Sequence, residues 1–371
     1  MTNNQLDIRY NKNNEIVKYK FFAQLTHSGI NGKNPRDEKT ILQYVNAIHE
    51  FEVAIHFKDF KKFTQELAII FKNHLSDKKN QRTGENISKS LFVHYLKYTK
   101  EFFEWLIINE KEYYHIKQVD INFLKTTTND KNIALSTKPQ ESYLISEILA
   151  TIRNMPNNTP IEMRNKAMIS LCLLTTPRIS ALQTARICSI RYFREYEIWA
   201  FEQDPKLVDT KFARTITSFF IGQCQDIIDN VLSWKEYLIE QGFKDKDYLF
   251  PKIMPSFDKD GKPISELKKD SIESDSWVRE SVFKKAFVAN DLPYRRPHLF
   301  RHSMARLALK QQNGFSLSIA LAENDGHKSA MATIHASYGG NYLKEQAELM
   351  KGFLLEQCNE PSASQNLTES T

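Results

Sequence analysis

The chain has 371 residues, 41% of them hydrophobic, and a net charge of +6, which suits two domains with real cores and permits a nucleic-acid partner without demanding one. The polar start Thr2-Asn3-Asn4-Gln5 argues against a secretory leader, and no apolar run approaches the ~20 residues of a membrane span. Four scattered cysteines give neither a zinc spacing nor a disulfide framework, so a soluble cytoplasmic protein is expected, with Cys172 and Cys188 as buried thiols.

Residues 1–35 are polar, contain Gly29, Gly32 and Pro35, and read as an extended N-terminal arm with at most one short ordered piece. From Asp37, a residue suited to cap a helix, apolar residues recur at three- and four-residue steps. Ile41, Tyr44, Val45, Ile48 and Phe51 form one such face. Phe60, Phe63, Leu67, Ile70 and Phe71 form a second, and Leu91, Tyr95, Phe102, Phe103 and Leu106 a third. Residues 36–125 are therefore predicted to be an all-helical bundle. The polar run from Thr126 to Asn132 opens a predicted linker, 126–141.

A second domain is expected over 142–358. Ser142 is its first cap, for a helix through Ile152, and Pro160 opens a helix that ends at Thr175. Ile198-Trp199-Ala200-Phe201 and the run from Thr215 to Ile221 are rich in aromatic and β-branched residues, and read as strands around the polar turn Asp204 to Asp209. Helical text resumes through Trp234, Tyr237 and Leu238. Residues 252–275 are charged and irregular, with Gly261 and Pro263, and read as a long surface loop. Helices are expected near 276–289, 298–312, 316–323 and 329–336, then beyond Tyr342, before a disordered tail over 359–371. The last helix has an apolar face (Leu343, Ala347, Leu349, Met350, Phe353 and Leu354) that docks either on a neighbouring protomer or on its own domain. The fold class is mainly α with a small β-sheet.

The C-terminal half carries a constellation suited to phosphodiester chemistry. Arg178 stands in Thr176-Pro177-Arg178-Ile179-Ser180, and His298 and Arg301 in His298-Leu299-Phe300-Arg301-His302. His327 follows Gly326, and Tyr338 lies eleven residues further on. A phosphodiester under attack gathers negative charge on its non-bridging oxygens, which two guanidinium forks and two imidazole donors can meet without a metal. A tyrosine can then attack and hold the strand as a phosphotyrosine ester. No acidic cluster with metal-ligand spacing and no Gly-rich nucleotide loop accompanies these residues, so no cofactor is expected.

The Arg178-Ile179-Ser180 turn, the His-x-x-Arg of His298 and Arg301, the Gly326-His327 pair and the closing Tyr338 resemble, in order, the motifs of the tyrosine recombinase (phage-type integrase) family. Each motif alone is weak; together they span roughly half the chain. The resemblance implies a two-domain DNA clamp, a helical core-binding domain joined to a tyrosine-recombinase catalytic domain. It implies a site-specific recombinase that cleaves and rejoins strands through a 3′-phosphotyrosine and a Holliday junction. Partners would be double-stranded attachment sites, sister protomers in a tetramer and accessory DNA-bending proteins, at the nucleoid. Arg178, His298, Arg301 and His327 would bind the phosphate and Tyr338 would attack it. A hairpin lysine is the family's general acid; Lys211 is the best match and Lys206 the next.

Three departures stand out. Ala181 occupies a position, three after Arg178, where many relatives carry an acid that braces the site. Pro177 replaces a common leucine. The spacing from His327 to Tyr338 is longer than usual, with His335 inside it. Basic residues at Lys58, Lys61, Lys62, Lys72, Lys78, Lys79 and Arg82 either follow a duplex backbone or form an ordinary solvated face. Rival readings are a non-catalytic DNA-binding protein on the same fold, a type IB topoisomerase-like enzyme and a hairpin-telomere resolvase.

Overall fold

The computed structural model describes residues 10–30, 34–135, 141–210, 213–222, 224–257, 259, 263–312, 314–326 and 342–353. The chain divides into two compact units, Met1–Pro139 and Gln140–Thr371. Among the described residues no helix is long and apolar enough to cross a membrane.

The first unit is helical throughout. Its helices are α1 (Lys12–His27), α2 (Glu38–Ala54), α3 (Gln65–Asp77), α4 (Lys89–Asn109), α5 (Gln118–Asn122) and α6 (Thr128–Leu135). The expected extended arm is corrected by α1, a sixteen-residue helix capped by Asn11 that buries Val17, Phe21 and Leu25. Its polar residues hide this in the sequence and yet dock it. Fully buried Asn14 donates to Glu52 (3.2 Å) and to the Lys58 carbonyl (3.1 Å), and accepts from the Phe60 amide (2.9 Å). Asp37 caps α2 as expected, accepting from the Thr40 amide at 2.8 Å. The predicted linker is also partly corrected: α6 lies within it and is tied to α4 by Lys89 and Asp130, 3.1 Å apart.

Aromatic packing fills this unit's core. Phe51 meets Phe71 and Phe103 edge-on at 5.2 and 5.1 Å, and Phe60 meets Phe102 at 5.3 Å. Edge-to-face contacts of this kind add to the gain from burial alone. Of the basic residues singled out above, Lys61 pairs with Glu112, Lys78 with Glu50 at 2.9 Å, and Lys72 donates to the Lys125 carbonyl at 2.8 Å. Lys58, Lys62, Lys79 and Arg82 are exposed.

The second unit opens with α7 (Ile145–Asn154) and α8 (Pro160–Thr175). Helix α7 is capped at Leu144, whose amide donates to Glu147 at 2.7 Å, so Ser142 lies before the helix. Helix α8 has the bounds predicted for it, with Thr159 and Glu162 forming a capping box around Pro160. Then come α9 (Ile179–Gln183), β1 (Ile190–Phe193), β2 (Ile198–Gln203), β3 (Ile216–Phe219) and α10 (Gln225–Glu240). The three strands form an antiparallel meander with β2 in the centre, Ala200 facing Phe219 and Phe201 facing Ile190. Strand β1 escaped the sequence reading.

The predicted loop over 252–275 is corrected to a hairpin, β4 (Pro251–Phe257) and β5 (Pro263–Ile272). Only Pro251 and Ile253 of the described hairpin residues are buried, so no sustained apolar alternation marks these strands. Arg164 secures the hairpin's base: it is 1% exposed, donates to the Pro251 carbonyl at 3.0 Å, and stacks over Trp277 at 4.8 Å. The following helical run comprises α11 (Asp275–Trp277), a π-helical stretch (Val278–Lys284) and α12 (Lys285–Val288). Helices α13 (Leu299–Lys310) and α14 (Gly314–Asn324) follow, and then a C-terminal helix, Tyr342–Gly352.

That last helix packs on its own unit. Ala347, Met350 and Phe353 are buried, and the Met350 carbonyl accepts from the Gly222 amide at 2.8 Å. Of the cysteines, Cys172 is a buried thiol, pushed up to about 12 by burial, whereas Cys188 is only partly buried. Cys224 is disulfide-bonded, contrary to expectation.

Candidate active site

The site is built around the end of α8. Thr176 terminates that helix in the left-handed region, at φ 41° and ψ 45°, where a β-branched residue is strained. This turn has two consequences. It exposes the Thr176 carbonyl and hydroxyl to the rest of the unit, and it lets Pro177 lead straight into Arg178, the N-cap of α9.

Arg301 comes from α13 and is 7% exposed. Its Nε donates to the Thr176 carbonyl at 2.6 Å, and lies 3.8 Å from Oδ1 of Asp325. The same Asp325 oxygen accepts a short hydrogen bond from the Thr176 hydroxyl. Burial lowers the Arg301 pKa, Asp325 opposes that, and Arg178 adds a like-charge push in the same direction as burial. Arg178 also steadies the Asp325 carboxylate. The charge of Arg178 therefore acts on both Arg301 and Asp325. Asp325 is pushed up to about 6 by burial, against the pull of Arg301, the Thr176 hydrogen bond and Arg178.

The Gly326-His327 motif has a physical basis on its glycine side. Gly326 has φ +68°, and a Cβ there would sit 2.4 Å from Cδ1 of Ile216 on β3. Only glycine fits both the backbone angle and the space. Just before it, fully buried Asn324 treats β3 as a partner strand. Its Oδ1 accepts from the Phe219 amide at 2.7 Å, and its Nδ2 donates to the Phe219 carbonyl at 2.9 Å. Ser218 and Gln203 extend the network, which Gln346 of the C-terminal helix joins at 3.3 Å.

His298 is exposed at the N-cap of α13, one helical turn before Arg301, with its ring edge-on to His302 at 5.2 Å. Lys206 is exposed in the turn that follows β2, its amide bonded to Asp204 at 2.9 Å. The same β2–β3 connection is fastened to the Arg178 helix: the Asp209 amide donates to the Thr184 hydroxyl at 2.8 Å. Lys211, His327 and Tyr338 lie outside the described residues. Among the described residues no three His, Cys, Asp or Glu side chains gather as metal ligands.

Sequence reasoning missed Thr176, Asn324 and Asp325. The only signal for the last two was a polar run, Glu323-Asn324-Asp325, at the end of a mostly apolar helix. Their partners lie more than a hundred residues away in the chain.

No protein-family model matches the chain, and no curated protein matches it. Solved structures do. A lambda integrase (75–356) dimer bound to a COC′ core site matches at 17% identity and TM-score 0.50, over 88% of this chain and 96% of that one. The Tn1549 transposon integrase in complex with transposon right-end DNA matches at 15% identity and TM-score 0.50, over 90% and 98%. A second lambda integrase dimer on the same core site gives 15% identity and TM-score 0.51, over 86% and 76%. The chain thus has the tyrosine recombinase fold, mainly helical with a small sheet.

Proposed function

We propose that the protein is a tyrosine site-specific DNA recombinase. Arg178 and Arg301 grip the scissile phosphate, each able to donate two parallel hydrogen bonds to its oxygens. His298 and His327 donate to the same phosphate or relay protons. Tyr338 attacks, forming a bond from its phenol oxygen to phosphorus while the bond to the 5′ oxygen breaks. Lys211, with Lys206 as the alternative, gives the departing oxygen its proton. The 5′ hydroxyl of a partner strand then attacks the phosphotyrosine, returns the tyrosine and closes the new strand. The bond energy is conserved, so neither nucleotide nor metal is needed. On this reading two protomers bind each partner DNA, four complete the synapse, and accessory DNA-bending proteins assist.

The observation that carries this reading is the buried Arg301 held by Thr176 and Asp325 at the end of α8, two residues before Arg178 in the chain. The fold adds weight, since its counterparts in lambda and Tn1549 are integrases solved on DNA. Asp325 offsets one of the two arginine charges, and a phosphodiester is the anion this fold would bring to the other. The test is a two-site DNA taken from beside the protein's own coding region. Exchange of partners by the wild type, lost in Tyr338→Phe, is expected. Relaxation of supercoils without exchange would favour a topoisomerase instead, and binding without either product would favour a non-catalytic DNA-binding protein.

A further inference from the structure

The resemblance leaves one place unfilled. An acid is usual three residues after the first arginine, and Ala181, 1% exposed, stands there. A site that gathers two guanidinium groups with no carboxylate would hold them apart by like-charge repulsion. Here the carboxylate arrives from elsewhere, on the turn between α14 and the Gly326-His327 motif.

We propose that Asp325 is the positioning residue for Arg301, bracing the site from the residue before Gly326 where relatives use an acid at position 181. This rests on the recombinase reading above. Three observations carry it. The Asp325 carboxylate lies 3.8 Å from Arg301 Nε and is bonded to the Thr176 hydroxyl, while the Thr176 carbonyl takes Arg301 Nε at 2.6 Å. Arg301, Thr176 and Asp325 thus form a closed triangle that fixes the guanidinium plane. Asp325 is also 8% exposed, so little solvent competes for it. Finally, it directly precedes Gly326, whose own position is fixed against Ile216. One carboxylate therefore holds Arg301 and leads directly into Gly326.

The charge count follows. With Asp325 ionised, two arginines and one carboxylate leave a single positive charge to meet a singly charged phosphodiester. With Asp325 neutral, the like-charge push of Arg178 on Arg301 is left unopposed. The groups around Asp325 are Arg301 from α13, Arg178 at the start of α9, and the Cys172 thiol and Thr176 hydroxyl from the end of α8. Neither polar neighbour from α8 is charged at neutral pH, so the two arginines dominate its titration.

Two measurements test this. In the first, the Arg301 Nε–H resonance, assigned by its loss in Arg301→Lys, is followed from roughly pH 5 to pH 8. It should move with a midpoint near the value of about 6 to which burial pushes Asp325, and stay flat in Asp325→Asn. In the second, covalent trapping on nicked DNA is timed for wild type, Asp325→Asn and the double variant Asp325→Asn with Ala181→Glu, with thermal melts alongside. Asp325→Asn should slow trapping by about 10–100-fold, the scale of a misplaced catalytic group, without lowering the melting temperature. The double variant should recover part of the rate, a rescue that a purely structural role would not produce. A flat Arg301 resonance in wild type, or wild-type trapping by Asp325→Asn, overturns the proposal. If wild type traps no DNA at all, the recombinase reading fails, and the resonance alone decides whether Asp325 governs Arg301.

Discussion

The two units of this chain are built on different physics. The first is closed by aromatic rings: Phe51, Phe60, Phe71, Phe102 and Phe103 meet at 5.1 to 6.0 Å. The second has an equally apolar interior, but at the end of α8 it buries Thr176, Arg301, Asn324 and Asp325 together. Ring packing stabilises without specifying any chemistry. Buried charges cost stability unless each finds its partner, so a cluster of them marks a place held for another purpose.

Deleting Arg301 should break this comparison most sharply. Arg301→Ala strands the Asp325 carboxylate and should cost about 3–5 kcal/mol of the second unit's stability, read by urea melts. It should also reduce DNA cleavage by about 10²–10³-fold, the scale of losing a charge-stabilising donor. Arg178 is only partly buried at a helix start, so Arg178→Ala should lose similar activity for less than about 1 kcal/mol. Equal stability losses in the two variants would contradict the assigned burial.

In the first unit, Phe103→Ala should cost about 3–5 kcal/mol through a ring-sized cavity and leave the second unit's melting transition in place. Next in size is a pH effect. The folded Asp325 is pushed from 3.8 to about 6, so between these values the folded state holds a proton that the unfolded state has released. Its contribution to stability is therefore largest below about pH 4, falls as pH rises through 6, and is flat above. The total change is on the order of 2–3 kcal/mol, and should vanish from the stability–pH curve of Asp325→Asn. Cleavage should change in the opposite direction, rising as the carboxylate ionises. Smallest is Asn324→Ala, which leaves the Phe219 amide and carbonyl without their partner and should cost about 1–3 kcal/mol in a thermal melt.

What the sequence disclosed follows the same division. Where one face is apolar and the other polar, elements were legible: α8 opening at Pro160, the Asp37 cap of α2, and the apolar face of α4; of the face predicted for α3, Phe60 and Phe63 are buried but precede that helix, and Ile70 is exposed. Where burial is achieved by polar groups, or where both faces meet solvent, they were not. Helix α1 is anchored by Asn14 and read as an arm; β4 and β5 bury only Pro251 and Ile253 among their described residues and read as a loop; α6 has no buried residue and read as a linker. Arg178 and Arg301 stood out because their motifs are local. Thr176, Asn324 and Asp325 did not, because their roles exist only once residues more than a hundred positions apart are brought together.

The most direct test is to map the covalent bond. The protein is incubated in a metal chelator with nicked DNA from beside its coding region, the denatured adduct is digested, and the linked peptide is sequenced by mass spectrometry. The account predicts a DNA 3′ phosphate joined to the Tyr338 oxygen, absent in Tyr338→Phe. DNA binding with no adduct, or a bond to any other residue, would contradict it.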